Sequence, residues 1–241
     1  MKTIQKINQD YLDIWQKHAA TVRLDRYPIQ YDNPERQAVV FVGINPSYSA
    51  VGWRNVLLGT QHKDLDIEKF FAWPDQAFCS SLAIQLEKLA RIKYSYFNPF
   101  IKFSDHIREP WINIDLFGFR ETNQNDAKSW MFSSLKTQTL SPFASAQLQL
   151  FDKLLELANP KMVVVVNRLA SDIYSKHRNI TRNSYDHCLG CFFDKVADGG
   201  PFPVHFSGML TGGRALDIPS RDRLFSVAAH SIAKTWVPEF P

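Results

Sequence analysis

Three polar side chains in this sequence stand inside or at the end of apolar runs, where chemistry is commonly done: Asn45, Asp115 and His205. Asn45 lies in the stretch Ala38–Val51, AVVFVGINPSYSAV. Ala38 to Val42 read as a buried strand. Gly43 permits a sharp turn or the close approach of another backbone. Pro46 keeps Asn45 extended, so the strand ends there without rolling directly into a helix. The product is an amide fixed at the carboxyl end of a central strand, the edge where open α/β sheets bind ligands. An ordinary Asn-Pro turn has the same local sequence.

His205 opens a second such end. Phe202–Phe206 read as a short strand that runs into His205-Phe206-Ser207-Gly208-Met209-Leu210-Thr211-Gly212-Gly213. Gly208, Gly212 and Gly213 let backbone N–H groups come close to a phosphate. Arg214, Arg221 and Arg223 follow and suit a nucleic-acid backbone. Taken alone, His205 reads more simply as a satisfied structural histidine and the glycines as a turn. Asp115 interrupts the strand Trp111–Phe117. It is either a carboxylate facing a cleft or one satisfied by an arginine such as Arg120. The Cys188-x-x-Cys191 pair needs two more ligands for structural zinc. Cys79 and His177 are distant in sequence, so the pair reads as packing thiols, with no metal and no cofactor.

Helical spacing of Ile4, Ile7, Tyr11, Ile14 and Trp15 predicts an amphipathic helix over 3–20. Further helices are expected over 78–91, 144–158, 168–178 and from about Ser220 to Trp236. Met162–Val166 reads as a strand buried on both faces, because β-branched residues run on without alternation. Residues 51–76 show no clear period, 94–110 carry two prolines and read as loop, and 122–142 read as a polar surface excursion. Strands alternating with helices imply a mostly parallel sheet with helices on both faces. The 241 residues suit one α/β domain, 1–241, with the helix over 3–20 packed on it.

The composition is 45% hydrophobic, enough for a sizeable core and unlike a disordered chain. The net charge of +4 and pI near 8.9 are compatible with a polyanionic partner. The aromatic content serves a core equally well as base stacking. Three cysteines, no apolar leader and no run as long as a membrane span predict a soluble intracellular protein.

These pieces together resemble the uracil-DNA glycosylase superfamily. VVFVGINPSYSA is similar to the first motif of its mismatch-specific thymine/uracil branch, a strand followed by GINPG. HFSGM resembles the second motif, which begins with His or Asn. INIDLFGFR resembles the strand that closes the base pocket, and PKMVVVVNRLAS the strand before the second motif. All four occur in the family's order, from about residue 38 to 235. The resemblance implies a three-layer α/β/α sandwich around a central, mostly parallel four-stranded sheet. It implies hydrolysis of the N-glycosidic bond of a damaged or mismatched base in DNA.

On that resemblance Asn45 positions the attacking water and His205 hydrogen-bonds the departing base. Gly43, Ile44, Pro46, Ser47, Tyr48, Asn113, Asp115, Ser207 and Gly208 line the substrate, with Tyr48 or a nearby aromatic stacking on the base. Met209 or Leu210 wedges into the DNA, and Gly212, Gly213 and Arg214 touch its backbone. The chain departs from the pattern at Ser47, Phe206 and Asp115. An ionised Asp only accepts hydrogen bonds, so Asp115 facing uracil O4 would repel it. Either Asn113 does the reading or the base is not uracil. The implied partner is single- or double-stranded DNA, bound by a monomer in the cytoplasm, nucleoid-associated if bacterial. A catalytically inactive nucleic-acid or nucleotide binder on the same fold is the alternative.

Overall fold

The computed structural model describes residues 3–75, 77–213 and 215–235. In chain order the elements are α1 (Ile4–Val22), β1 (Val39–Val42), α2 (Ala50–Leu57), α3 (Ile67–Phe71), α4 (Ser80–Lys93), α5 (Asn98–Ile107), β2 (Trp111–Asn113), α6 (Gln124–Met131), β3 (Phe132–Ser134), β4 (Thr139–Leu140), α7 (Pro142–Ala158), β5 (Met162–Val166), α8 (Arg168–His177), β6 (Tyr185–Asp186), β7 (Cys191–Lys195), β8 (Pro201–Ser207) and α9 (Ile218–Thr235). Trp236, expected at the end of the last helix, lies outside the described residues, as does Arg214. The chain groups into two compact units. One comprises 1–33, 45–95 and 117–153, and the other 34–44, 96–116 and 154–241.

The second unit carries a six-stranded sheet in the order β2-β1-β5-β8-β7-β6. Its first four strands are mutually parallel, and β7 and β6 continue it antiparallel. The fold class is the α/β one expected, but the sheet has six strands where four were expected. The extra pair is a hairpin in a stretch that shows no clean alternation. Its Asp194 is a buried carboxylate in mid-strand, held by the Tyr174 hydroxyl at 2.7 Å and by Arg178 Nε at 2.9 Å. Arg178 Nη2 also donates to the Lys195 carbonyl at 2.6 Å, and the Lys195 N–H donates to Asp194 Oδ1 at 2.7 Å.

Period-2 geometry sorts the side chains of this sheet onto two faces. Val39, Phe41, Met162, Val164 and Val166 pack with Phe100 and Phe103 of α5 and with Phe225, Ala228 and Ile232 of α9. Val40, Val42, Val163 and Val165 are equally buried. Tyr174 of α8 meets Phe206 at a ring distance of 6.1 Å. Burial on both sides is why β1 and β5 are continuous apolar runs.

Helix α5 corrects the expectation of loop over 94–110. Pro99 sits in its first turn, where the missing N–H bonds nothing within a helix anyway. The polar excursion over 122–142 is likewise structured, as α6 followed by the β3-β4 hairpin. Strand β2 stops at Asn113, earlier than the expected Phe117. Its backbone nonetheless keeps to β1, with the Ile114 N–H on Phe41 O and the Leu116 N–H on Gly43 O, both at 3.0 Å.

The first unit is built on helices. Thr3 caps α1, whose Ile4, Ile7, Tyr11 and Trp15 are buried. Trp53, Val56 and Leu57 of α2 pack with Ile67, Phe70 and Phe71 of α3 and with Ala83, Leu86 and Ala90 of α4. Arg120 is buried in this unit. It pairs with Glu87, its Nε donates to Tyr27 O at 3.2 Å, and its guanidinium carbon lies 4.1 Å from the centre of the Phe71 ring. The arginine considered for Asp115 therefore has Glu87 as its ion-pair partner.

Candidate functional site

The carboxyl ends of β1, β2 and β8 carry most of the residues singled out in the sequence. At β1, Val39 to Val42 are wholly buried and the chain emerges through Gly43 and half-buried Ile44 to Asn45. Asn45 is held by its amide nitrogen. Nδ2 donates to Glu121 O at 2.7 Å and lies 3.2 Å from the carbonyls of Phe119 and Pro46. An amide fixed through its NH2 has its orientation decided, and its oxygen remains an acceptor. Among the described residues Asn45 Oδ1 has no hydrogen-bond partner.

Next along the chain, Pro46 is half-buried and Ser47 exposed. Tyr48 is anchored by its backbone: its N–H donates to Thr122 Oγ1 at 3.1 Å, and the Thr122 hydroxyl donates to Tyr48 O at 2.7 Å. The Arg26 guanidinium covers one face of the Tyr48 ring at 4.4 Å, and Phe71 meets it edge-on at 6.3 Å. Burial pushes the phenol pKa up, and the buried hydroxyl has no hydrogen-bond partner among the described residues. With one face taken by Arg26, at most the other face is left for a stacking partner.

At the end of β2, Asp115 is buried, and Oδ2 accepts a hydrogen bond from Asn113 Nδ2 at 3.1 Å. Its other oxygen lies over Gly43. A Cβ built on Gly43 would stand 2.3 Å from Asp115 Oδ1, so residue 43 is glycine because the carboxylate occupies that space. The sequence left a sharp turn or the close approach of another backbone open for Gly43, and the neighbour is a side-chain carboxylate. Its φ is not positive, and what requires it is a close approach.

The end of β8 differs. His205 lies inside the strand, opposite Val164, and is only 5% exposed. Its Nε2 is 2.9 Å from the Ser231 hydroxyl of α9, which itself donates to Ala228 O at 2.9 Å. Burial drives the imidazole pKa down to about 4, so the ring is neutral at pH 7. This is the setting of a satisfied core histidine, the plainer of the two readings of that residue. Ser207 ends the strand with a buried hydroxyl that has no hydrogen-bond partner among the described residues. A side chain on Gly208 would come within 2.9 Å of Leu216.

Beyond it the loop folds back on itself, with the Leu216 N–H on Met209 O at 2.8 Å. Leu210 is in the core with Phe41, Phe103 and Val164. It therefore cannot act as a wedge without leaving that core, which corrects half of the Met209-or-Leu210 alternative. Met209 is half-buried, and Gly212 and Gly213 are exposed, Gly212 with a φ of 81°.

Cys188 lies in the turn between β6 and β7, and Cys191 is the first residue of β7. Asp186 Oδ1 accepts the N–H groups of Cys188 and Leu189 at 2.8 and 2.9 Å, and Gly190 takes a φ of 66°. Cys188 is exposed and Cys191 buried, its thiol pushed up to about 11 by burial. Among the described residues no three His, Cys, Asp or Glu side chains are grouped to hold a metal ion, and no helix is long and apolar enough to cross a membrane. No protein family matches the chain, and no curated protein is similar to it.

Proposed function

We propose that the protein hydrolyses the N-glycosidic bond of a base in DNA, with Asn45 orienting the water. The observation that carries this reading is the clamped amide of Asn45. Its NH2 is spent on backbone carbonyls, which leaves Oδ1 as a preset acceptor for a water O–H. In such a hydrolysis the C1′–N bond breaks with its electron pair going to the base. Water oxygen bonds C1′ and the released proton ends on the base or in solvent. The sugar passes through an oxocarbenium-like state, so orientation and charge stabilisation matter more than a strong base. The four motif resemblances and the mildly basic charge support the same substrate class.

One observation favours a second reading, a nucleic-acid or nucleotide binder without turnover. His205 is neutral and engaged with Ser231, which leaves it no positive charge to offer a departing base at pH 7.

A strand-nicking assay separates the two. The protein is incubated with labelled oligonucleotides carrying uracil, mispaired thymine, hypoxanthine or other lesions, and abasic sites are then cut with alkali. Nicking that disappears in Asn45→Ala supports hydrolysis. Salt-sensitive retention of DNA without nicking on any lesion supports the binder.

A further inference from the structure

The turn that carries Asn45 is held at two points by one other segment of the same unit, and the two contacts are reciprocal. Asn45 reaches across with its side chain: Nδ2 donates to Glu121 O at 2.7 Å and lies 3.2 Å from Phe119 O. Thr122 reaches back with its own. Its hydroxyl accepts from the Tyr48 N–H at 3.1 Å and donates to Tyr48 O at 2.7 Å. One hydroxyl thus meets both backbone groups of Tyr48, as a paired strand residue would. Serine keeps that donor and acceptor, and valine has neither.

The segment over 119–122 is fixed from behind. Phe119 is buried among the rings of Phe117, Trp130 and Phe143. Arg120 is buried beside it, paired with Glu87 and bonded to Tyr27 O. The Asn123 N–H donates to Glu121 Oε1 at 2.6 Å, and Asn123 caps α6. The turn over 45–48 lies nearer the surface, with Asn45, Pro46 and Tyr48 half-buried and Ser47 exposed. A turn fixed at one point pivots about it, and a second point three residues on removes the pivot. Asn45 supplies the first point and Thr122 the second.

We infer that Thr122 is a positioning residue: its hydroxyl fixes the turn at Tyr48, and through the turn the direction in which Asn45 Oδ1 points. This rests on the reading of Asn45 as the group that orients the attacking water. Thr122 acts through Tyr48 and not on the reacting atoms. Its loss therefore slows the chemical step and leaves the affinity for the oligonucleotide unchanged.

The test compares the whole chain with Thr122→Val and Thr122→Ser in two measurements. The first is single-turnover nicking of oligonucleotides carrying uracil, mispaired thymine or hypoxanthine. On any that the wild type nicks, Thr122→Val is expected to lower the rate at least about tenfold at unchanged affinity, and Thr122→Ser to restore it. The second needs no turnover. It is hydrogen exchange of the Asn45 side-chain NH2 by NMR, the resonance being assigned by its absence from Asn45→Ala. Exchange should be faster in Thr122→Val and as in the wild type in Thr122→Ser. Thr122 is exposed, so folding should tolerate the change, and Thr122→Ala replaces the valine variant if it does not. Unchanged exchange in the valine variant overturns the inference whatever the nicking shows. So does an undiminished nicking rate, or a loss that serine does not restore. A wild type that nicks none of the oligonucleotides sinks the hydrolase reading, and the exchange alone then decides whether Thr122 sets Asn45.

Discussion

The ends of β1 and β8 carry the two residues with the most similar sequence credentials and the least similar surroundings. Asn45 and His205 each follow or close an apolar strand and each precede a loop rich in small residues. Asn45 is half-buried, and its nitrogen is tied to main-chain carbonyls with its oxygen left over. His205 is held by a side chain of the helix that covers it and is uncharged at neutral pH. A polar residue at a strand end is placed for chemistry when the backbone fixes one of its atoms and spares another. When the covering helix supplies its partner, it is placed for packing.

The sharpest way to break that comparison is kinetic. On the proposed hydrolysis, Asn45→Ala removes the oriented acceptor and is expected to lower the nicking rate by about 10²–10³-fold, the usual size of a lost preorganised polar contact. Full activity in this variant, measured in single turnover, would reverse the ranking of the two sites.

His205 is tested by acid. Its folded pKa of about 4 lies below the ordinary value of 6.5, so the folded state prefers the neutral ring. Its contribution is present in full above about pH 6.5 and is lost as pH falls from there to about 4. The gap corresponds to roughly 3 kcal/mol. Urea midpoints across this range should fall in the wild type, and the fall should be shallower in His205→Gln. Identical slopes would mean that the ring is not buried neutral.

Gly43→Ala sharpens the other side of the comparison. The new methyl meets Asp115 Oδ1, and the expected cost is about 1–3 kcal/mol. In the double variant with Asp115→Ala most of this cost should vanish, because the two residues share one contact. Additive losses would show that Gly43 is needed for another reason.

The smallest effect is a rate order among thiols. Hydrogen bonds from Ser81 and from the Leu82 N–H lower the Cys79 pKa, and burial raises that of Cys191. In a thiol-exchange assay near pH 8, Cys79 should react first and Cys191 only on unfolding. Early labelling of Cys191 would contradict the buried end of the hairpin.

Much of this was legible in the sequence where local pattern and tertiary environment agree. Met162–Val166 reads as a strand and is one, because burial on both faces selects unbroken β-branched residues. The helices at the start of the chain, over 80–93, 142–158 and near the end follow from their apolar spacing. Failures occur where a distant partner overrides the local signal. Pro99 looks like a breaker but occupies a first turn. Asp194 disguises β7 because its carboxylate is matched by Tyr174 and Arg178, 20 and 16 residues earlier. Leu210 sits beside a glycine loop and looks exposed, yet Phe41 and Val164 enclose it. At the site, the position of Asn45 was readable from the proline after it. The clamp on its nitrogen was not, because Phe119 and Glu121 lie 74 and 76 residues away.

The ties of Asp194 and Arg178 also bear on how the protein behaves in company. A strand with unpaired amides and carbonyls is a template on which another chain can build. At the end of β7 both backbone groups of Lys195 are already engaged, the N–H by Asp194 and the carbonyl by Arg178. The outer strand β6 is only two residues long. One guanidinium thus ties helix to sheet and also occupies the last backbone carbonyl of β7, which another strand would otherwise need in order to pair there.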